Sequence, residues 1–360
     1  MNETDGTQQI VRSCWTSSLI PEALTMLKTA ALRIPQIRRL WQDRASLLAQ
    51  RDALLRENQQ LRASGEPGSG SVFFHYNCSF DAIGAMNSHA RSDLQAHPSY
   101  VTNFLGVKVS PRFFPGILGG KAGTVEPIPI PANWHADIAE WAAALRAVDL
   151  ASGRFRVVEL GCGWGCWLNN TGVAARNRGL EVELIGIEGD SEHVAYAHEA
   201  MATNGFSEKE FSIIHGVAAP RKGVALFPIV ENPGASWGSE PILEASAAQI
   251  KEASTSGQYQ QLDAVPLVEI VKGEPVDLLH IDIQGGEADF VEAAISDLNK
   301  FVRYIVIGTH SRQIEGRIMT ALLNEGWKLE MERPAIIELV DGRPRISVDG
   351  VQGWRNAFSI

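Results

Sequence analysis

Residues 157–165 read VVELGCGWG, and this short stretch decides the fold expected for the chain. Apolar residues flank a single glutamate at its start, which predicts a buried strand, and three alternate glycines follow. Glycine has no Cβ, so a turn built from glycines lets the backbone approach a ligand closely. The candidate ligand-binding residues of this turn are Glu159, Gly161, Gly163 and Gly165.

Strands and helices alternate from this stretch towards the C-terminus. The predicted strands are FRVVEL (155–160), VELIGIE (182–188), FSIIHGVA (211–218), VDLLHIDI (276–283) and VRYIVIGT (302–309), with helices at about 166–178, 191–204, 286–299 and 312–326. KLEMERPA (328–335) and AIIELVDG/RPRISV (335–348) then predict a closing antiparallel pair that turns at Asp341-Gly342. This order indicates a doubly wound, Rossmann-like α/β sheet, mostly parallel with an antiparallel strand at its end.

The glycine turn distinguishes between cofactors. A dinucleotide fingerprint needs a third small residue at position 166, and Cys166 departs from it. An acidic residue two positions before the first glycine is instead typical of S-adenosylmethionine sites, where Glu159 would bind the amino-acid end of the cofactor. None of the five tyrosines is followed four residues later by lysine. A nicotinamide-dependent sugar dehydrogenase or epimerase is therefore disfavoured.

The next two strand ends supply further candidate cofactor ligands. Glu188 ends the second predicted strand, 25 residues after Gly163. A carboxylate at this position can accept hydrogen bonds from both ribose hydroxyls. Gly216 and Val217 lie at the end of the third strand, where backbone and small side chains commonly flank an adenine ring.

The motif LLHIDIQGGE (278–287) places Asp282 at the end of the fourth strand, beside the crevice where doubly wound proteins bind ligands. Together with YQQLDAVPLVEI (259–270), it resembles the FkbM-type methyltransferases over about 154–330. The resemblance implies an S-adenosylmethionine-dependent O-methyltransferase. The chain departs from the family's usual pattern in the turn ELGCGWG and in three residues of the later motif, which indicates a subgroup. These residues are His280 for Lys, Gln284 for Glu and Gly286 for Ala.

A hydroxyl is a poor nucleophile until it loses its proton, so an O-methyltransferase needs a base or a metal ion near the acceptor. The fifth strand ends in Thr309, His310 and Ser311, a position that lies over the crevice in the family. We expect His310 to be the base, with Asp282 orienting it or the substrate. A divalent metal such as Mg²⁺, held by Asp282 and Glu287 with a histidine, is the less favoured alternative.

The acceptor is expected to be a sugar hydroxyl in a bacterial surface polysaccharide or glycolipid, because the resembled family is frequent in glycan pathways. A tailoring methyltransferase for polyketides or peptides is the alternative within the same class. A non-catalytic scaffold with this fold, organising glycan enzymes, is the alternative from another class. The intact glycine turn and Glu188 argue against the scaffold.

The composition of the chain indicates which binding partners and which cellular compartment to expect. The net charge is −10, and residues beyond 64 hold 23 Lys/Arg against 36 Asp/Glu, which argues against nucleic acid. Apolar runs are too short to span a bilayer, and the N-terminus does not resemble a secretory signal. Four cysteines at irregular spacing predict no disulfide framework, and we expect a cytoplasmic protein. Peripheral contact with a membrane or with a glycan-enzyme complex stays open.

Five segments are predicted along the chain. Residues 1–64 are an N-terminal helical segment, 65–71 a linker, 72–150 a lid or substrate-side segment, 151–340 the cofactor-binding domain and 341–360 a C-terminal strand and tail. Within 37–61, leucine recurs every seventh residue from Leu40 to Leu61, with Asn58 at the other seam position. This spacing favours a parallel coiled coil and a homo-oligomer, and an amphipathic helix packed on its own chain is the alternative.

Overall fold

A computed structural model of the chain describes residues 71–357. The predicted helical segment, its coiled coil and nearly all of the linker therefore lie outside the described residues. The helices are α1 (Ala82–His89), α2 (Pro115–Leu118), α3 (Ile138–Leu150), α4 (Cys166–Asn177), α5 (Ser191–Thr203), α6 (Ala247–Ser256), α7 (Leu267–Val271), α8 (Glu287–Phe301) and α9 (Arg312–Asn324). The strands are β1 (Asn77–Cys78), β2 (Val101–Thr102), β3 (Lys108–Val109), β4 (Thr124–Val125), β5 (Arg154–Leu160), β6 (Glu181–Glu188), β7 (Phe211–His215), β8 (Val217–Ala218), β9 (Gly223–Pro228), β10 (Ile242–Leu243), β11 (Tyr259–Val265), β12 (Leu278–Ile281), β13 (Tyr304–Thr309), β14 (Lys328–Arg333), β15 (Ile336–Val340), β16 (Arg343–Val348) and β17 (Gly350–Arg355).

An eight-stranded sheet forms the centre of the fold, in the order β1-β14-β17-β13-β12-β5-β6-β7. The run from β13 to β7 is parallel, and β17 is antiparallel to both of its neighbours. The predicted doubly wound α/β sheet with an antiparallel end is therefore confirmed. The strand order places the ends of β5, β6 and β12 side by side, which is where the candidate residues lie.

The central strands are apolar without alternation because helices cover both faces of the sheet. Successive residues of a strand point to opposite faces, so Val157 packs in the cluster that contains Trp141 of α3. Its neighbour Val158 packs in the cluster that contains Phe290 of α8. Within residues 71–357, a separate hydrophobic cluster thus packs on each face of the central sheet.

The C-terminal end differs from the prediction in one respect. Strands β15 and β16 form the expected hairpin around Asp341-Gly342, but among residues 71–357 they pair only with each other. The sheet is completed instead by β17, which lies between β13 and β14 although it falls beyond the end expected for the cofactor-binding domain. The two glycines in GVQGWR (350–355) interrupt the apolar pattern of this strand, so the pattern does not predict it.

The segment 72–150 contributes to the core as well as to the candidate site. Strand β1 pairs with β14 at the edge of the main sheet. Helix α3 packs beside α4, and its Trp141 and Leu145 are fully buried. A second sheet, β10-β9-β11-β8, lies beyond the end of β7 in the chain. Over residues 71–357, no helix is both long enough and apolar enough to cross a membrane.

Candidate active site

The glycine turn between β5 and α4 is shaped by its close neighbours. Gly161 and Gly163 have positive φ values of 73° and 52°, which residues with side chains rarely adopt. A Cβ on Gly161 would lie 2.0 Å from the carbonyl oxygen of Asp282, so no larger residue fits there. The turn is thus held tightly against the end of β12.

Glu159 secures the helix that follows the turn. Its carboxylate accepts hydrogen bonds from the backbone N–H groups of Trp167 and Leu168, which begin α4 and have no partner within the helix. Burial raises the pKa of Glu159 to about 7. Glu159 therefore has a clear structural role, and its predicted contact with the amino-acid end of a cofactor stays a prediction.

A first cavity of about 370 Å³ opens over the glycine turn, within the size range of small-molecule sites. Six of the seven predicted cofactor-binding residues line it, namely Glu159, Gly161, Gly163, Glu188, Gly216 and Val217. Gly165 does not line it, because it begins α4 and packs against Met201 and Asn169. The strand ends thus bring these distant residues together around one space.

Glu188 is held in place by backbone groups at the edge of this cavity. One carboxylate oxygen accepts a hydrogen bond from the N–H of Gly163 at 2.7 Å, and the other accepts one from Asp190 at 2.8 Å. A carboxylate has about four lone-pair positions, so two bonds leave capacity for a ligand. This arrangement fits an acceptor for ribose hydroxyls.

An aromatic stack that the sequence did not reveal lies beside the glycine turn. The Trp237 ring stacks on His193 at 4.0 Å and on Phe114 at 4.3 Å between ring centroids. A Cβ on Gly163 would lie 3.2 Å from the Trp237 ring, and Trp237 lines the first cavity with Phe114 and His193. These residues come from three separate segments, so no local pattern could have placed them together.

The predicted acid–base residues meet at the ends of β12 and β13. His310 Nε2 lies 3.4 Å from an Asp282 carboxylate oxygen. His310 Nδ1 lies 2.9 Å from a carboxylate oxygen of Glu287, which is fully buried at the start of α8. Glu287 rather than Asp282 is therefore the group that fixes the imidazole ring through Nδ1, and the sequence analysis did not assign it that role.

The charges in this cluster determine where protons reside. Burial alone would lower the pKa of His310, but its hydrogen bond to Glu287 and the charge of Asp282 raise that pKa to about 9. Enclosure by the protein raises the pKa of Asp282 to about 6, and the charge of His310 opposes this rise. At neutral pH, His310 consequently carries a proton while Asp282 is mostly ionised.

The same three residues could alternatively hold a metal ion. One ligand atom from each of Asp282, Glu287 and His310 lies within 4.8 Å of the others. Glu287 Oε1 accepts the N–H groups of Ile283 and Gly285, whereas its buried Oε2 has no hydrogen-bond partner among residues 71–357. Two carboxylates and one imidazole suit a divalent cation, so the less favoured metal alternative remains compatible with the residues present.

A second cavity of about 250 Å³ adjoins the first. Asp282 and His135 line both cavities, and His310 lines the second. His135 contacts the Cys166 thiol through Nε2, and burial lowers the pKa of His135 to about 4, so its ring is neutral. Asp282 thus lies where a ligand in one cavity would meet a ligand in the other.

A parallel sheet with a glycine turn, a strand-end carboxylate and a crevice over its carboxyl edge defines a class of α/β enzymes that bind nucleoside cofactors. Residues 149–328 match the methyltransferase FkbM domain. A protein from Jannaschia sp. (strain CCS1), named "Putative methyltransferase", is 50% identical over 261 residues, which cover 72% of this chain and 94% of that protein. The chain belongs to the FkbM methyltransferase family.

Solved structures of other methyltransferases are also similar. The methyltransferase FkbM from Methylobacillus flagellatus KT is 12% identical, with a TM-score of 0.36, and the match covers 60% of this chain and 54% of that one. The human methyltransferase 10 domain containing protein is 13% identical, with a TM-score of 0.33, over 60% of this chain and 82% of that one.

Proposed function

We propose that this methyltransferase uses S-adenosylmethionine to methylate a hydroxyl group, and that its acceptor is a sugar of a bacterial surface polysaccharide or glycolipid. The observation that carries the proposal is the pair of adjoining cavities that share Asp282. One cavity has the residues expected around a nucleoside, and the other has polar side chains suited to a hydroxylated acceptor. The sugar identity rests on the usual place of the family in glycan pathways.

The residues of the first cavity suit S-adenosylmethionine. Glu188 has free acceptor capacity for the ribose, and Gly216, Val217 and Glu159 line the same cavity. When bound there, the cofactor would supply a methyl group already activated by its sulfonium. The protein then needs mainly to align the acceptor and to receive its proton.

The cluster at the second cavity supplies that proton acceptor. The acceptor hydroxyl would donate to His310 Nε2 or to Asp282, while Glu287 keeps the imidazole ring oriented through Nδ1. This cluster would receive the hydroxyl proton as the methyl group passes from the sulfonium sulfur to the hydroxyl oxygen, which leaves S-adenosylhomocysteine. Because His310 already holds a proton at neutral pH, it can act as the base only in the fraction of molecules that has lost it.

The proposal is tested by incubating the full chain with methyl-labelled S-adenosylmethionine and a panel of glycan, polyketide and peptide acceptors, followed by mass spectrometry of the products. We expect a mass increase of one methyl group on a hydroxyl of a sugar acceptor. Transfer of label to a polyketide or peptide acceptor, with none to any glycan, would contradict the sugar assignment.

A further inference from the structure

The lining of the second cavity is unusually rich in acidic side chains. Asp137 and Glu140 come from the region where α3 begins, Asp282 from the end of β12, and Asp349 from the connection between β16 and β17. The cationic or potentially cationic residues of the same lining are His135, His310 and Arg333. What this cavity can bind therefore depends on which of these charges are already neutralised.

The cations are engaged by the protein itself. Arg333 is almost fully buried, and its guanidinium binds the Asp137 carboxylate and the carbonyl oxygens of Pro334 and Asp349. His310 lies between two carboxylates, and His135, which is half-buried, contacts Cys166. None of these three groups is therefore free to receive an anion from a ligand.

Carboxylates outnumber cationic groups in the lining of the second cavity. Glu140 is paired with the buried His280 at 3.0 Å, and Asp137 is paired with Arg333. The Asp349 carboxylate is exposed at the cavity and forms no ion pair with any residue that the structure describes. Even with a proton on His310, this lining is net negative, because its two cations, His310 and Arg333, face four carboxylates. These are Asp137, Glu140, Asp282 and Asp349.

The second cavity has room for an acceptor. Its volume of about 250 Å³ is enough for one sugar ring. Carboxylates accept hydrogen bonds from hydroxyl groups, and Phe73 provides an apolar surface for a face of the ring. Size and polarity thus both fit a single polyhydroxylated ring.

We propose that the second cavity binds an uncharged sugar ring and excludes sugars that carry a carboxylate, with Asp349 as the main source of the discrimination. This inference rests on the proposed function, because it takes the second cavity as the acceptor site. A uronate ring would bring its own negative charge beside Asp349 and Asp282, where no cation is free to compensate. Repulsion between like charges in a partly enclosed site disfavours such a ligand even if it fits sterically.

The test compares matched pairs of probes by saturation-transfer NMR on the full chain, saturated with S-adenosylhomocysteine, in EDTA and at low salt. The pairs are methyl glucoside with methyl glucuronide and methyl galactoside with methyl galacturonide. We expect a clear signal from at least one neutral glycoside and a signal about three- to tenfold weaker from its uronide, since charge repulsion at low ionic strength is of that order. The proposal is overturned if the uronide binds as well as its neutral partner, or if no neutral glycoside binds.

A charge-neutralising variant identifies the residue responsible. Asp349→Asn should raise the uronide signal relative to that of the neutral glycoside, whereas Asp341→Asn should leave the ratio unchanged. Asp341 lies at the hairpin turn, away from the cavity lining, and has a φ of 51° that asparagine readily adopts. An equal change in both variants, or none in Asp349→Asn, would refute the role of Asp349.

Calorimetry with S-adenosylhomocysteine alone separates this inference from the proposed function. Absence of S-adenosylhomocysteine binding would refute the proposed function. Normal S-adenosylhomocysteine binding without the expected discrimination between glycosides would refute only the inference about the acceptor.

Discussion

Glu188 is positioned by two backbone N–H groups at the end of β6, and its remaining lone pairs lie at the first cavity. Its carboxylate therefore needs no movement to accept hydrogen bonds from a ribose. Preorganisation of this kind makes the loss of the side chain costly for a ligand, because the carboxylate is already held in its binding position.

Replacement of Glu188 should weaken cofactor binding strongly. We expect Glu188→Ala to reduce S-adenosylhomocysteine affinity by ~2–4 kcal/mol, since a pair of charge-assisted hydrogen bonds is lost. Calorimetry provides the measurement, and circular dichroism checks that the variant is folded. Glu192→Ala is the control, because this glutamate is exposed on α5 and should leave the affinity unchanged. Equal affinities of both variants would exclude Glu188 as a ligand.

The pH dependence of turnover should report on His310. Since its folded-state pKa is about 9, deprotonated His310 becomes about tenfold more abundant with each pH unit up to that value. If His310 is the base, kcat/KM should rise with pH and level off above about 9. Loss of turnover with chelator, together with a profile that does not follow this rise, would instead indicate a metal ion held by Asp282 and Glu287.

Mutation of His310 should separate chemistry from cofactor binding. His310→Ala should lower turnover by ~10²–10⁴-fold with little change in S-adenosylhomocysteine affinity, because a general base contributes about that factor. Asp282→Asn should also slow turnover, since it removes the charge facing Nε2. Near-normal turnover of His310→Ala would require another group to accept the proton.

At the scale of elements, the site depends on the connections between strands and helices rather than on the strands alone. The turn from β5 to α4 and the end of β12 touch where Gly161 meets the backbone of Asp282. The segment from Pro233 to Pro241 then brings Trp237 over Gly163. The first cavity is therefore formed partly by a segment that has little regular secondary structure.

Substitution of Trp237 tests whether that segment contributes to cofactor binding. Trp237→Ala should weaken S-adenosylhomocysteine binding about tenfold, because it removes a large aromatic surface from the cavity and leaves Phe114 and His193 unstacked. Trp237→Phe should retain most of the affinity, since an aromatic ring remains. Fluorescence titration or calorimetry can measure the difference. Equal affinities of wild type and both variants would show that Trp237 does not contact the cofactor.

The elements around VVELGCGWG could be predicted because each has a strong local signal. Buried parallel strands are continuous apolar runs, and the glycines mark where the chain must turn. Strand β17 has no continuous apolar run. No local sequence pattern indicates the second cavity. The second cavity is lined by residues that are far apart in the sequence, and only folding brings them together. They include His135, the strand-end residues Asp282 and His310, and Asp349 in the connection from β16 to β17.

The role of Glu287 was missed for the same reason. Its position after a glycine pair resembles an ordinary helix start, and the sequence predicted it only as a possible metal ligand. The structure buries it completely beneath His310, where it orients the ring. Sequence spacing indicated which charged residues are near the crevice, but it could not decide which of two carboxylates faces which nitrogen.

At the scale of the whole molecule, residues 1–64 are predicted to mediate self-association, and they lie outside the described residues. Deletion of this segment should lower the mass per particle in light scattering while the remaining chain still binds S-adenosylhomocysteine. Leu47→Lys with Leu54→Lys should have the same effect, because charges in the predicted seam disfavour a coiled coil. An unchanged mass in both cases would contradict the prediction.

Calorimetry of the full chain with S-adenosylhomocysteine and, separately, with NAD tests the central claim most directly. Both ligands contain adenosine, so the comparison depends on how the cavity accommodates the rest of each molecule. The arrangement of Glu159, the glycine turn and Glu188 predicts saturable binding of S-adenosylhomocysteine and no comparable binding of NAD. Tight binding of NAD without an S-adenosylhomocysteine signal would contradict the assignment of the cofactor.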